Sequence, residues 1–160
     1  MPTTINLYLM VKAVKIILCV IILAITFLGC GLLYFRNCEW NPRRAANYAT
    51  NNAESKSVGL CGLYVRKAII AGGIPLYLGG DAWSYKYLLP IIGFKRIDKN
   101  EKLTIGDIVV FQPIGGRKFG HIAIWNGEQW ISDFKQRSII VHKDYTKEQC
   151  EFVIFRRPCR

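Results

Sequence analysis

Histidine is scarce in this chain, with two among 160 residues. Neither stands in an H-E-x-x-H pattern, no C-x-x-C pair occurs, and Cys150 and Cys159 have no histidine near them. The residues therefore imply no metal site, and no organic cofactor. Acidic residues are few as well: 11 Asp and Glu stand against 22 Lys and Arg, a formal charge of +11. Internal repeats and low-complexity tracts are absent, which excludes solenoids, coiled coils and collagen. No helix-turn-helix, zinc-finger or RNP-type pattern appears and the basic residues are scattered, so nucleic acid is not an expected partner. What is plentiful is apolar residue, 51% of the chain, with a mean hydropathy of +0.18. That composition excludes disorder.

The apolar excess is local. Residues 1–37 contain Lys12, Lys15 and Arg36 but no acid, and Ile16 to Phe35 is a run of twenty residues without a charge. As a helix such a run is about 30 Å long, the thickness of the hydrocarbon core of a bilayer. We therefore divide the chain into residues 1–37, a membrane anchor or signal segment, and residues 38–160, a globular domain. An uncleaved transmembrane helix over 16–35 fits best. A lipoprotein signal with acylation at Cys30, after Phe27-Leu28-Gly29, comes second, and a buried hydrophobic helix third. The flanking charges do not decide orientation. Residues 38–160 keep 19 basic against 11 acidic residues, a charge that would draw them to anionic envelope polymers.

Within the globular part, Asn41-Pro42 is a helix start, and a helix is expected over 42–52. Leu60, Tyr64, Ala68 and Ala71 lie at helical spacing, with Cys61 in the first turn and Gly72-Gly73 as the stop. A shorter helix is expected over 82–89, ending before Pro90. From Asp107 the period changes to two, and strands are expected at Asp107–Phe111, His121–Trp125, Gln129–Asp133, Ser138–Val141 and Glu151–Phe155. Helices first and antiparallel strands after make an α+β domain. Extended chain from Cys150 makes a Cys150–Cys159 disulfide unreachable unless the chain doubles back, so Cys38 is the better partner for either. Such a bond would suit an extracytoplasmic compartment.

Thiol–imidazole chemistry has few options here. Cys61 opens a helix, where free N–H groups and the helix dipole favour a thiolate. His121 follows Gly120, whose small size leaves room for a substrate, and His121, Ala123 and Trp125 share a strand face. Asp133 is the natural group to orient the imidazole, provided the Asn126-Gly127 hairpin has a three-residue loop that sets His121 opposite Asp133. A two-residue loop would turn Asp133 to the other face. His142 has no cysteine motif near it and reads as surface. Trp125, Trp130 and Tyr64 could line a sugar-peptide groove or belong to the core.

These residues resemble a known family. Gly59-Leu60-Cys61-Gly62-Leu63-Tyr64-Val65 is similar to the G-x-C-x-x-Y-V signature of CHAP domains, the cysteine- and histidine-dependent amidohydrolases and peptidases. Gly106-Asp107-Ile108-Val109-Val110-Phe111 followed by Gly120-His121-Ile122-Ala123-Ile124 looks like their second block. The interval from His121 to Asp133 is similar to that in NlpC-type enzymes. The resemblance covers roughly residues 45–135. It implies a papain-like fold that cleaves amide bonds in peptidoglycan stem or cross-bridge peptides through Cys61, His121 and Asp133, with no cofactor. The short form is also similar to amidase effectors delivered by type VI secretion systems, which would imply a dedicated inhibitor or immunity protein.

The resemblance implies a domain facing the periplasm or cell exterior. One residue departs from the pattern: Leu60 stands where CHAP domains commonly carry a Gln that helps form the oxyanion hole. Tyr48, Asn51 and Asn52 are the replacements within reach in sequence. A related cysteine acyltransferase or protease, and a catalytically inactive module that binds wall peptides or a partner, are the rival readings.

Overall fold

The computed structural model describes residues 12, 14–22, 40–115, 118–140, 145 and 151–158. The chain divides into two compact units, Met1–Cys38 and Glu39–Arg160. In the first, residues 14–22 are helical, with Ile16, Ile17, Leu18 and Val20 exposed. Among the described residues no helix is long and apolar enough to cross a membrane. Most of the 16–35 run lies outside the described residues, as do Cys30, Cys38, His142, Cys150 and Cys159, so the anchor, lipoprotein and disulfide readings all fall there.

The second unit is α+β, as its order of periodicities predicts. Helix α1 spans Pro42–Asn52, and the Asn41 side chain caps it by accepting from the Arg44 N–H at 2.9 Å. Helix α2 spans Cys61–Ala71 and stops at Gly72. The expected helix over 82–89 is a 3₁₀ turn, Ala82–Ser84, running into helix α3, Tyr85–Ile91. Asp81 sets the tight start, its carboxylate accepting from the Ser84 N–H. Pro90 lies inside α3 rather than beyond it. Proline there costs one helical hydrogen bond, and the chain turns out directly afterwards, with the Gly93 N–H donating to the Pro90 carbonyl at 3.0 Å.

Six strands form one antiparallel sheet in the order β1-β6-β2-β3-β4-β5. They are β1 Lys95–Ile97, β2 Ile108–Phe111, β3 His121–Trp125, β4 Trp130–Ile131, β5 Lys135–Gln136 and β6 Phe152–Arg156. Strand β2 is buried on both faces, which is why it reads as an unbroken apolar run. Ile108 and Val110 join the core with Val65, Ile69 and Ile122, while Val109 and Phe111 pack with Ala123, Trp130 and Ile154 in a second cluster.

Three expectations are corrected. Strand β1, with its exposed Lys95 and Arg96, carries no apolar alternation and escapes detection. The expected strand Gln129–Asp133 is cut to two residues, because Ser132 and Asp133 turn the chain back: the Ser132 N–H bonds the Phe134 carbonyl at 3.0 Å. The return strand is therefore Lys135–Gln136, pairing Trp130 with Gln136, and described residues Ser138–Ile140 are not in a strand.

Candidate active site

Cys61 is the first residue of α2. Leu60 occupies the cap position, but its side chain makes no capping hydrogen bond and is half-exposed. The residues that lead into the helix are held instead by Asp133. Asp133 is fully buried, and its Oδ2 accepts from the Val58 N–H at 2.7 Å, the Leu60 N–H at 3.2 Å and the Ser57 hydroxyl at 3.1 Å. The other oxygen accepts from the Ser132 hydroxyl at 3.0 Å. Burial works to raise the Asp133 pKa, but these N–H and O–H donors outweigh it and hold the carboxyl below its usual range. The Glu54 N–H donates to the Asp133 carbonyl at 2.8 Å, and Glu54 bridges Phe134 in parallel, which clamps residues 54–60 against the β4–β5 turn.

The thiol itself is more deeply buried than its place in sequence suggests. Burial pushes the Cys61 pKa up, and the nearby Asp133 charge adds to this. The N–H groups of Ile122, Gly62 and Cys61 act in the opposite sense without cancelling it. Desolvation thus outweighs the pull of the helix N-terminus that was expected to favour a thiolate.

His121 opens β3 and is buried, its ring tilted against Phe111 at 6.2 Å between centroids. The residue after it, Ile122, presents its N–H to the Cys61 sulfur, so the start of β3 and the start of α2 meet at the thiol. Gly120 serves a different purpose from the one expected. Its φ is +69°, and a side chain there would run into the Phe111 carbonyl and the Trp83 side chain, so the missing Cβ makes room for the protein's own backbone.

The hairpin that decides what faces His121 has a four-residue loop, Asn126–Gln129, instead of three. Trp125 pairs with Trp130 and Ile124 with Ile131. Asn126 closes this longer turn with one side-chain oxygen, accepting from the Glu128 N–H at 2.9 Å and the Gln129 N–H at 2.8 Å. The register that was to set His121 opposite Asp133 therefore does not form, and Asp133 sits in the β4–β5 turn. Gln136 comes to the imidazole instead: its Nε2 lies 2.6 Å from His121 Nε2. Its Oε1 is buried and has no hydrogen-bond partner among the described residues.

Sequence reasoning missed Gln136 because it stands outside every motif and in a strand too short to read. Its alternation with exposed Lys135 and Arg137 is the only signal it leaves. Of the suggested oxyanion donors, the Asn52 amide donates to the Tyr48 carbonyl one turn back, at 2.8 Å. The Tyr64 hydroxyl donates to Glu54 at 2.6 Å. Trp125 and Trp130 pack edge to face at 5.3 Å in the second core cluster and line, with Gln136, a pocket of 310 Å³. Asp107 of the Gly-Asp motif is structural: buried, it accepts from Arg156 Nε and Nη2 at 2.8 Å each and from the Thr104 N–H.

No protein-family model matches the chain, and no curated protein does. Among solved structures, the chain is similar to the type VI native effector–immunity complex Tae3–Tai3 from Ralstonia pickettii. The TM-score is 0.69 at 37% identity over 74% of this chain and 100% of that one. Its selenomethionine counterpart gives a TM-score of 0.66 at 40% identity, covering 70% and 98% of the two chains. Identity at this level over a whole partner chain carries more than a shared architecture, and with a cysteine-led helix laid against the sheet it places this chain in the Tae3 family of type VI effectors.

Proposed function

We propose that this chain is a cysteine amidase of the papain-like, CHAP or NlpC type, a type VI effector that hydrolyses amide bonds in peptidoglycan peptides. The observation that carries the reading is the meeting of Cys61, at the start of α2, with the start of β3, where His121 is held by a buried amide. Cys61 Sγ attacks the substrate carbonyl and His121 takes the thiol proton. The tetrahedral intermediate collapses to a thioester as His121 returns that proton to the leaving amine, and water then releases the acid. Burial raises the thiol's pKa, and the imidazole's part in the attack is to take that proton.

Gln136 is the positioning group. A half-turn of its amide sets the now unpartnered Oε1 on His121 Nε2–H, which fixes the tautomer that carries its lone pair on Nδ1, the base of the reaction. Asp133 contributes by holding the nucleophile's helix in place. The Cys61 and Gly62 N–H groups facing the sulfur are the donors for the oxyanion, in the role left open by Leu60.

The substrate places the domain's work in the periplasm or outside the cell, with residues 16–35 as its membrane segment. The effector–immunity complexes support an immunity protein as partner. One observation favours the rival binding module, namely the raised Cys61 pKa.

Release of new amines from purified peptidoglycan by the full-length chain, beside the alkylation rate of Cys61 as a function of pH, separates the two. We expect amine release from wild type and none from Cys61→Ala, whose circular dichroism is unchanged. Alkylation should climb above the pH of an ordinary thiol, near 8.5, and fall further in His121→Ala. Full activity in Cys61→Ala, or no release by wild type, overturns the amidase reading.

A further inference from the structure

The basic charge looks scattered along the sequence, yet the fold gathers three of its members. A groove of 370 Å³ runs between residues 55–57 and the stretch from Phe134 to Ile140. Lys56 stands on one wall, and Lys135 and Arg137 on the other. All three are exposed, none has an ion pair among the described residues, and no acidic side chain lines the groove.

The arrangement has a local cause. Along β5 and the residue after it, Lys135 and Arg137 alternate with Gln136, so burying Gln136 against His121 turns both cations outward on the same side. The facing wall is clamped by the hydrogen bonds of Asp133 to Ser57 and Val58 and by the Glu54–Phe134 bridge. Asp133 spends its charge on those donors beneath the wall, and Glu54 is held by the Tyr64 hydroxyl. Ser55 also lines the groove, while the Ser138 hydroxyl donates to the Ile140 carbonyl at 2.6 Å. One wall reaches the imidazole directly, because Gln136 both lines the groove and lies 2.6 Å from His121.

We infer that this groove binds free carboxylates of the substrate peptide beside the scissile bond, and that Lys56, Lys135 and Arg137 set the preference for an anionic peptide. The inference rests on the amidase reading and names the substrate class of that site. A concave groove that shares Gln136 with the imidazole suits an extended peptide better than a lipid surface, which would meet exposed cations on a convex face.

The test uses one disaccharide-peptide in two forms, with its carboxylates free or converted to primary amides. Turnover is measured with the full-length chain and its K56Q/K135Q/R137Q variant, and binding of both peptides with the Cys61→Ala chain. Three exposed ion pairs predict a preference for the free-carboxylate form of about tenfold, expressed in KM and in Kd. That preference fades as salt rises. In the triple variant it should vanish with kcat and circular dichroism unchanged. Equal binding of the two peptides by Cys61→Ala, or a preference that survives in the triple variant, overturns the inference. If neither peptide is cleaved but binding still discriminates, the groove stands and the amidase reading falls. Binding to anionic vesicles with no discrimination between the peptides would assign the cations to a lipid surface and overturn it as well.

Discussion

At the residue scale, the site is set by which polar group each buried atom finds. Gln136 is 2% exposed and carries one oxygen with no partner among the described residues, beside an imidazole that needs an acceptor. Replacing it by alanine would free the ring to rotate and to adopt either tautomer. We expect Gln136→Ala to lower kcat by roughly 10²-fold with KM little changed, in the range seen when a histidine loses the group that orients it. The pH profile of kcat should also move, which a loss of packing alone would not produce. Chemically rich residues were readable at this scale when they sat in a motif: Cys61 and His121 lie where their flanking glycines and apolar residues put them. Gln136 was not readable, because its role depends on the turn between two very short strands, and that turn depends on hydrogen bonds of Ser132 that leave no periodicity behind.

At the element scale, the segment that leads into helix α2 is held by the β4–β5 turn. Asp133 accepts from the Val58 and Leu60 N–H groups and from two hydroxyls, so its loss leaves several donors, part-buried or buried, unpaired at once. Asp133→Asn should cost about 2 kcal/mol of stability and loosen residues 54–60, which hydrogen exchange would register as faster exchange at Val58 and Leu60. The pH dependence follows from a carboxyl held below its unfolded value. Its contribution is complete above the unfolded pKa, near 3.9, and is lost as pH falls through the lower folded value. Thermal melts from pH 6 down to pH 2 should therefore show a steeper acid loss in wild type than in Asp133→Asn. Helix boundaries were legible to the residue for α1 because Asn41-Pro42 is a local signal. The β3–β4 loop was mistaken by one residue because the Asn126 side chain closes two N–H groups, a choice among turns that composition does not make.

At the scale of the whole molecule, the sheet is joined by Arg156. Its guanidinium grips buried Asp107 at the start of β2 through two hydrogen bonds, and it also bonds the Lys102 carbonyl and Glu101. The Asp107 contacts raise the arginine's pKa further, so the guanidinium stays charged throughout the working range. Arg156→Ala leaves the Asp107 carboxylate buried without its cation. Because the arginine retains some contact with water, we expect a loss of about 3 kcal/mol, at the low end for breaking a buried pair. Urea denaturation should show this as a lower midpoint with an unchanged slope. The α+β class and the helix-before-strand order were legible from periodicity. The strand order was not, since nothing local tells β6 to enter between β1 and β2.

That insertion also has a bearing on time. Strand β2 gains one neighbour quickly, through the short connection to β3, but its other neighbour is the last strand of the sheet, reached only after the chain has run from Phe111 to Phe152. Strand β1 waits for the same partner. Until β6 docks, the sheet is split and the apolar flank of Ile108 and Val110 lacks Phe155. Pairings between distant parts of a chain form slowly, because the entropy of closing the loop is lost before any contact repays it. A chain still being synthesised therefore holds Cys61 and His121 before it holds a finished sheet, and the proposed active site matures only when β6 slides home.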